Sequence, residues 1–194
     1  VEAAKHEMPI TIIRPGLVKG DSKPGETIKF DGIYFMLNLF DRLSFSPVVP
    51  YLGDGHVEGN FVPADYVLQA TSYLAFHDVG IGKTYNLTDP QPYTMRELYT
   101  MLLEAYSGRK PKGQIPLKLA ELPMKSTFVQ KWLKVEKEAL AYFTIRSSYD
   151  CTQAQTDLKE SGITCPDFKD TIEPMIRFYR KYKDDLTPHI IYSQ

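Results

Sequence analysis

A phenol and an ammonium four residues apart on one helix can work as a proton-transfer pair, because the positive charge lowers the phenol pKa towards neutrality. The chain holds that spacing at Tyr106/Lys110 and at Tyr179/Lys183. The first pair straddles Gly108 and runs into Pro111, so its side chains are not expected to share a helical face. In the second, Tyr179 belongs to an apolar stripe with Ile172, Met175 and Ile176, which predicts a core role. Gly80-Ile81-Gly82-Lys83-Thr84 ends like a phosphate loop. The first Gly of that motif is replaced by His77, however, and the segment leads into a strand instead of a helix. His6, His56, His77 and His189 are scattered without metal-ligand spacing, and Cys151 and Cys165 form no CxxC pair. No Gly-x-Ser-x-Gly elbow occurs. On these grounds the chain is expected to carry no catalytic residue and no metal ligand of its own.

The elements that would position any chemistry follow from periodicity and turn formers. Ile10-Thr11-Ile12-Ile13 is a short β-branched run and predicts a buried strand, closed by Arg14-Pro15-Gly16. A loop dense in turn residues follows from Lys19 to Glu26. Ile33, Met36, Leu37 and Phe40 recur at helical spacing. Val67, Ala70, Thr71 and Leu74 predict a helix that starts near Pro63. Lys83 to Leu87 reads as a second strand, and Thr94-Met95-Arg96-Glu97 as a capping box that opens a helix ending near Gly108. Phe128, Trp132, Val135 and Ala139 predict a further helix, Thr152 to Glu160 another, and Ile172 to Tyr179 the last. Thr144 to Tyr149 is a candidate short strand. The first residues, Val1 to Glu7, read as the closing turns of a helix already under way, stopped by Met8-Pro9.

The chain has 194 residues, enough for one core, and 43% of them are hydrophobic. Lys and Arg number 23 against 24 Asp and Glu. That balance gives no electrostatic case for nucleic acid or an anionic membrane as partner. No apolar run approaches the ~18 residues of a membrane span, and no signal-peptide pattern opens the chain. Two unpaired cysteines fit a reducing, cytoplasmic setting.

One ordered series of phrases stands above this background. It begins with Ile12-Ile13-Arg14-Pro15-Gly16-Leu17-Val18-Lys19-Gly20-Asp21-Ser22 and continues with Gly25-Glu26 and Lys29-Phe30-Asp31-Gly32-Ile33-Tyr34. Asn60-Phe61-Val62-Pro63-Ala64-Asp65-Tyr66-Val67, Lys83 to Pro90, Thr94 to Leu98 and Tyr149-Asp150 complete it. The order resembles the C-terminal half of extended short-chain dehydrogenases/reductases, over roughly residues 1–180. Within them it is most similar to the male-sterility branch, with its fatty acyl-CoA and thioester reductases. The Arg-Pro-Gly-x-Val phrase is shared across the superfamily. The Gly-Asp-Ser to Tyr34 stretch is narrower and points to the branch.

The resemblance implies an α/β fold, part of a Rossmann-type extended reductase with two or three strands and a mostly helical substrate-binding region. Residues 1–20 and 60–90 would belong to the Rossmann sheet, and 21–59 and 91–194 to the substrate region. The family's glycine-rich turn and its catalytic Ser/Thr and Tyr-x-x-x-Lys lie upstream of the Arg-Pro-Gly strand. An N-terminal Rossmann half is therefore implied as partner, and this portion alone is expected to be inactive. NAD or NADP is the implied cofactor. By the same resemblance Pro15, Gly16, Leu17 and Val18 would pass beside the nicotinamide, at the carboxyl end of a parallel strand. Asp21, Ser22, Lys29 and Tyr34 would lie where the substrate enters, a small molecule such as an acyl-CoA or other acyl thioester. Asp65, near a helix start, is read equally as favouring the N-terminal end of that helix or as a ligand residue. A nucleotide-sugar epimerase or dehydratase and a non-catalytic binding protein on the same scaffold remain open. An unrelated helical domain would leave Ile10–Ile13 and Lys83–Leu87 unpaired.

Overall fold

The structure is a computed structural model that describes residues 9–133, 135 and 137–185. The expected opening helix at Val1 to Glu7 lies outside the described residues. The first strands are β1 (Ile12–Pro15) and β2 (Leu17–Lys19), nearly continuous in sequence, followed by α1 (Tyr34–Arg42). Next come β3 (Tyr51–Leu52), β4 (Phe61–Pro63), α2 (Ala64–Phe76) and β5 (Thr84–Leu87). The rest is mainly helical: α3 (Met95–Ser107), β6 (Gln114–Ile115), α4 (Leu117–Glu121), α5 (Thr127–Leu133), α6 (Thr152–Leu158) and α7 (Ile172–Tyr182), with short 3₁₀ turns between them.

Among the described residues every strand pair is parallel: β1 with β5, β2 with β4 and β3 with β6. Ile12 lies opposite Thr84 and Pro15 opposite Leu87, so the two segments expected as strands are parallel neighbours. The chain changes partner at Gly16. Its N–H bonds the Leu87 carbonyl at 2.9 Å, and the next N–H, of Leu17, bonds the Asn60 carbonyl at 2.9 Å. Among the described residues, the far side of β1 has no strand partner.

The core forms two clusters. The smaller packs α2 and α6 against β4 and β5 through Val62, Tyr66, Ala70, Leu74, Tyr85, Leu87 and Leu158. The larger joins α1, α3 and α7 through Met36, Leu37, Phe40, Leu98, Leu102, Ile176 and Tyr179. The capping box forms as its sequence predicts: the Glu97 N–H donates to the Thr94 hydroxyl, and the Glu97 carboxylate accepts from the Thr94 N–H at 2.8 Å.

Two expectations differ from the structure. The helix through Phe128 and Ala139 ends at Leu133, and a 3₁₀ segment spans Lys137–Phe143. Val135 is buried while Phe128 and Trp132 face solvent, so those apolar residues do not share one face. Thr144 to Tyr149 forms no strand. Among the described residues no helix is long and apolar enough to cross a membrane, and no cluster of side chains could hold a metal ion.

Candidate functional site

A cleft of about 390 Å³ opens where β1 hands over from β5 to β4. Pro15, Gly16 and Leu17 form one side, with Asn60 and Phe61 from the start of β4 and Asn86 and Thr88 from the end of β5. The opposite wall is Tyr142, Ile145 and Tyr149. The site lies at the carboxyl ends of β1 and β5, where the chain changes partner, the kind of place where open α/β sheets bind ligands.

The handover depends on Asn60. Its backbone carbonyl takes the Leu17 N–H, and its side-chain oxygen takes the Asp89 N–H at 2.9 Å. That bond fixes the amide so that its oxygen is the accepting end. A methyl group on Gly16 would stand 2.9 Å from both Asn60 oxygens, so glycine is what lets the two segments approach. The Asn60 amide nitrogen and the Thr88 hydroxyl are buried and have no hydrogen-bond partner among the described residues. Buried polar groups are rarely left unpaired, because each costs about 1–3 kcal/mol. Together they offer a donor and a hydroxyl beside an apolar floor, a set suited to the edge of a planar polar group.

The other singled-out residues lie elsewhere. Val18 follows the loop but is outside the cleft lining. The Ser22 N–H and hydroxyl bond the two carboxylate oxygens of Asp65 at 2.9 and 2.5 Å, which pins the 20s loop to the first turn of α2. These bonds hold Asp65 below its ordinary pKa against the opposing effect of burial. Asp21 helps to close the same loop, its carbonyl accepting the Gly25 N–H, and Lys29 is exposed. Tyr34 is buried with its hydroxyl against Gly20, and burial pushes its pKa up to about 12. None of these four lines the cleft.

Lys19 is a buried cation that the sequence did not announce. Its Nζ donates to the Thr171 hydroxyl at 2.6 Å and stands 5.2 Å from the centre of the Phe168 ring. Burial pulls its pKa down to about 8, opposed by the charges of Asp65, Asp21 and Asp89. It ties β2 to the segment that leads into α7.

Both Tyr/Lys spacings serve structure. Tyr106 and Lys183 converge on one oxygen of Asp41 at 2.7 and 2.5 Å, and Tyr179 donates to the Asn38 side-chain oxygen at 2.8 Å. The phosphate-loop lookalike is a 3₁₀ turn, Asp78–Gly80, that leads into β5.

The chain is similar to several known proteins. Residues 1–71 match an NAD-binding family model described as male sterility protein. A nonribosomal peptide synthetase, cpsA, of Aspergillus campestris is 28% identical over 141 residues, which span 71% of this chain and 12% of that protein. Among solved structures, the terminal R domain from the myxalamid PKS-NRPS biosynthetic pathway superposes with TM-score 0.72 at 22% identity, over 94% of this chain and 46% of that one. RMD from Pseudomonas aeruginosa, complexed with NADPH, gives 0.58 at 15% over 92% and 50%. The UDP-glucose 4-epimerase of Thermotoga maritima gives 0.57 at 19% over 94% and 49%. The chain thus spans about half the length of these structures and a small part of the synthetase. These superpositions show that the chain shares its fold with those structures.

Proposed function

We propose that the chain supplies the nicotinamide-side loop and the substrate wall of an NAD(P)-dependent reductase acting on a carbonyl or acyl-thioester substrate. The observation that carries this reading is the cleft at the Gly16 handover, with the Asn60 amide and the Thr88 hydroxyl buried and unpartnered beside it. Their donor and hydroxyl suit the carboxamide edge of a nicotinamide, and Pro15, Gly16 and Leu17 form the surface along it, with Val18 following. Bound NAD(P)H supplies the hydride. Tyr142 and Ile145 hold the substrate against that face and exclude water, and such orientation can be worth several kcal/mol of barrier. Asp21, Ser22 and Lys29 belong, on this reading, to the loop beside the substrate entrance, and Tyr34 packs beneath it.

Neither Tyr/Lys pair described above is free to donate a proton to a carbonyl in the cleft. The reading therefore assigns the proton donor to an N-terminal Rossmann half, the partner of this chain, and assigns no turnover to the chain alone. A reducing, cytoplasmic setting suits its two free thiols. The test is to assay the protein together with its upstream sequence for oxidation of NADPH or NADH by an acyl thioester. Turnover is expected, with kcat/KM reduced about 10–100-fold in Asn60→Leu through the loss of one buried donor. A full-length protein that binds neither nucleotide overturns the reading, and one that turns over only nucleotide sugars replaces it with an epimerase or dehydratase.

A further inference from the structure

The whole chain is close to neutral, but one stretch departs from that balance. Residues 117–133 carry three lysines, one glutamate and no arginine. They form α4, a 3₁₀ turn at Pro123–Lys125 and α5, and the turn packs against both helices. Ala120, Met124 and Leu133 face inward together and line an apolar cavity whose far walls come from α1 and β3. The residues between them that turn away from this cavity therefore lie on one side of the molecule.

Those outward residues include four large apolar side chains. Phe128 is 77% exposed, Leu119 56%, Leu122 55% and Trp132 43%. Phe128 and Trp132 stand four residues apart in α5 and share its outer face. Single exposed apolar residues are ordinary, whereas four on two adjoining helices form a patch of the kind that marks an interaction surface. Lys118, Lys125 and Lys131 are exposed among them, and no described acidic residue forms an ion pair with any of the three.

The chemistry of this face separates a bilayer from a protein as its occupant. Protein interfaces favour Arg over Lys, and their aromatic anchors are matched by pockets. Here every cation is a lysine, and none of the four apolar residues lines the cleft or the apolar cavity. A lysine can lay its stem on apolar surface while its ammonium stays in water, and Trp and Phe suit the boundary between headgroups and acyl chains. The excess of positive charge matches anionic headgroups.

We infer that the outer face of α4 and α5 docks the protein onto an anionic lipid bilayer. Phe128 and Trp132 enter between the headgroups, and Lys118, Lys125 and Lys131 meet the headgroup charges. Docking of this kind needs no membrane-spanning helix, and it is independent of the reductase reading.

The test is co-sedimentation of the chain, joined to its upstream sequence, with vesicles. It needs neither substrate nor nucleotide, so it succeeds or fails apart from the reductase activity. Vesicles of equal parts phosphatidylserine and phosphatidylcholine are expected to carry the protein down, less so as salt rises, and pure phosphatidylcholine vesicles to leave it in solution. Affinity is expected to fall roughly fivefold for each of Lys118, Lys125 and Lys131 replaced by glutamine. Phe128→Ser combined with Trp132→Ser is expected to abolish binding with the urea unfolding midpoint unchanged, because both side chains are exposed. No sedimentation with the anionic vesicles overturns the inference, and so does binding that survives the double substitution. A dimer in solution that the double substitution dissociates would assign the face to a second copy of the chain and overturn the membrane reading.

Discussion

Asn60 carries more of the site than its small side chain suggests. One oxygen holds Leu17, the other holds Asp89, and the amide nitrogen is left for a ligand. Asn60→Ala strips a buried backbone N–H of its acceptor, and a loss of about 1–3 kcal/mol in urea unfolding is expected. Gly25 marks a second point of close approach. Its φ is +73°, and a Cβ there would collide with the Pro174 backbone at the start of α7. Gly25→Ala is expected to lower the unfolding midpoint well beyond the ~1 kcal/mol typical of point substitutions. Lys19 predicts a pH dependence. Its pKa is about 8 in the folded chain and 10.5 in the unfolded one, so between those values the unfolded state binds more protons and stability rises with pH. The full window corresponds to about 3 kcal/mol. Tyr34 acts in the opposite sense: its proton is retained up to about pH 12 when folded, so its contribution falls away above pH 10. Urea unfolding is therefore expected to show a gain from about pH 8 to about pH 10, and Lys19→Met to abolish it. A wild-type slope retained in Lys19→Met would assign the effect to another group.

At the scale of elements, what was legible in the sequence followed the strength of the local signal. β1 and β5 were readable because Ile12 and Ile13, and Thr84, Tyr85 and Leu87, are β-branched, aromatic or apolar and bounded by turn formers. The α3 cap was readable because a capping box is a contiguous four-residue pattern. The strands β2, β3, β4 and β6 have two or three residues each, too few for any period to show. The cleft was half legible. Pro15, Gly16 and Leu17 announce a strand end, whereas Asn60, Thr88 and Tyr142 come from separate segments and meet only through parallel pairing. The clamp between β5 and α6 is of this second kind: one oxygen of Asp157 accepts from Lys83 at 2.8 Å and from Tyr85 at 2.6 Å. Both bonds hold the Asp157 carboxyl below its ordinary pKa of 3.8. The stability it confers is present above that value and lost as pH falls below it. Faster amide exchange in α6 is expected under acid, and already at neutral pH in Asp157→Asn.

The whole molecule has one face that is half-built by the standards of a parallel sheet. Such sheets are usually covered on both sides, yet β1 and β5 form a two-stranded pair and Arg14 and Pro15 are exposed. On the function proposed above, this is the surface that meets the nucleotide-binding half. Calorimetric titration of the 194-residue chain with NADPH or NADH is expected to give no saturable binding in the micromolar range, whereas the chain joined to its upstream sequence is expected to bind. Tight binding by the chain alone would mean that the described cleft holds the dinucleotide without further strands.

The all-parallel pairing also has a consequence for biosynthesis. Ile12 cannot find Thr84 until some 72 further residues have been made. At ~5–20 residues per second that delay is roughly 4–14 s. Throughout that interval the Ile-rich first strand leaves the ribosome without its mate, open to chaperones and to other nascent chains. A ribosome pausing shortly after residue 87 would lengthen the time in which β1 and β5 can zip together before the helical remainder follows.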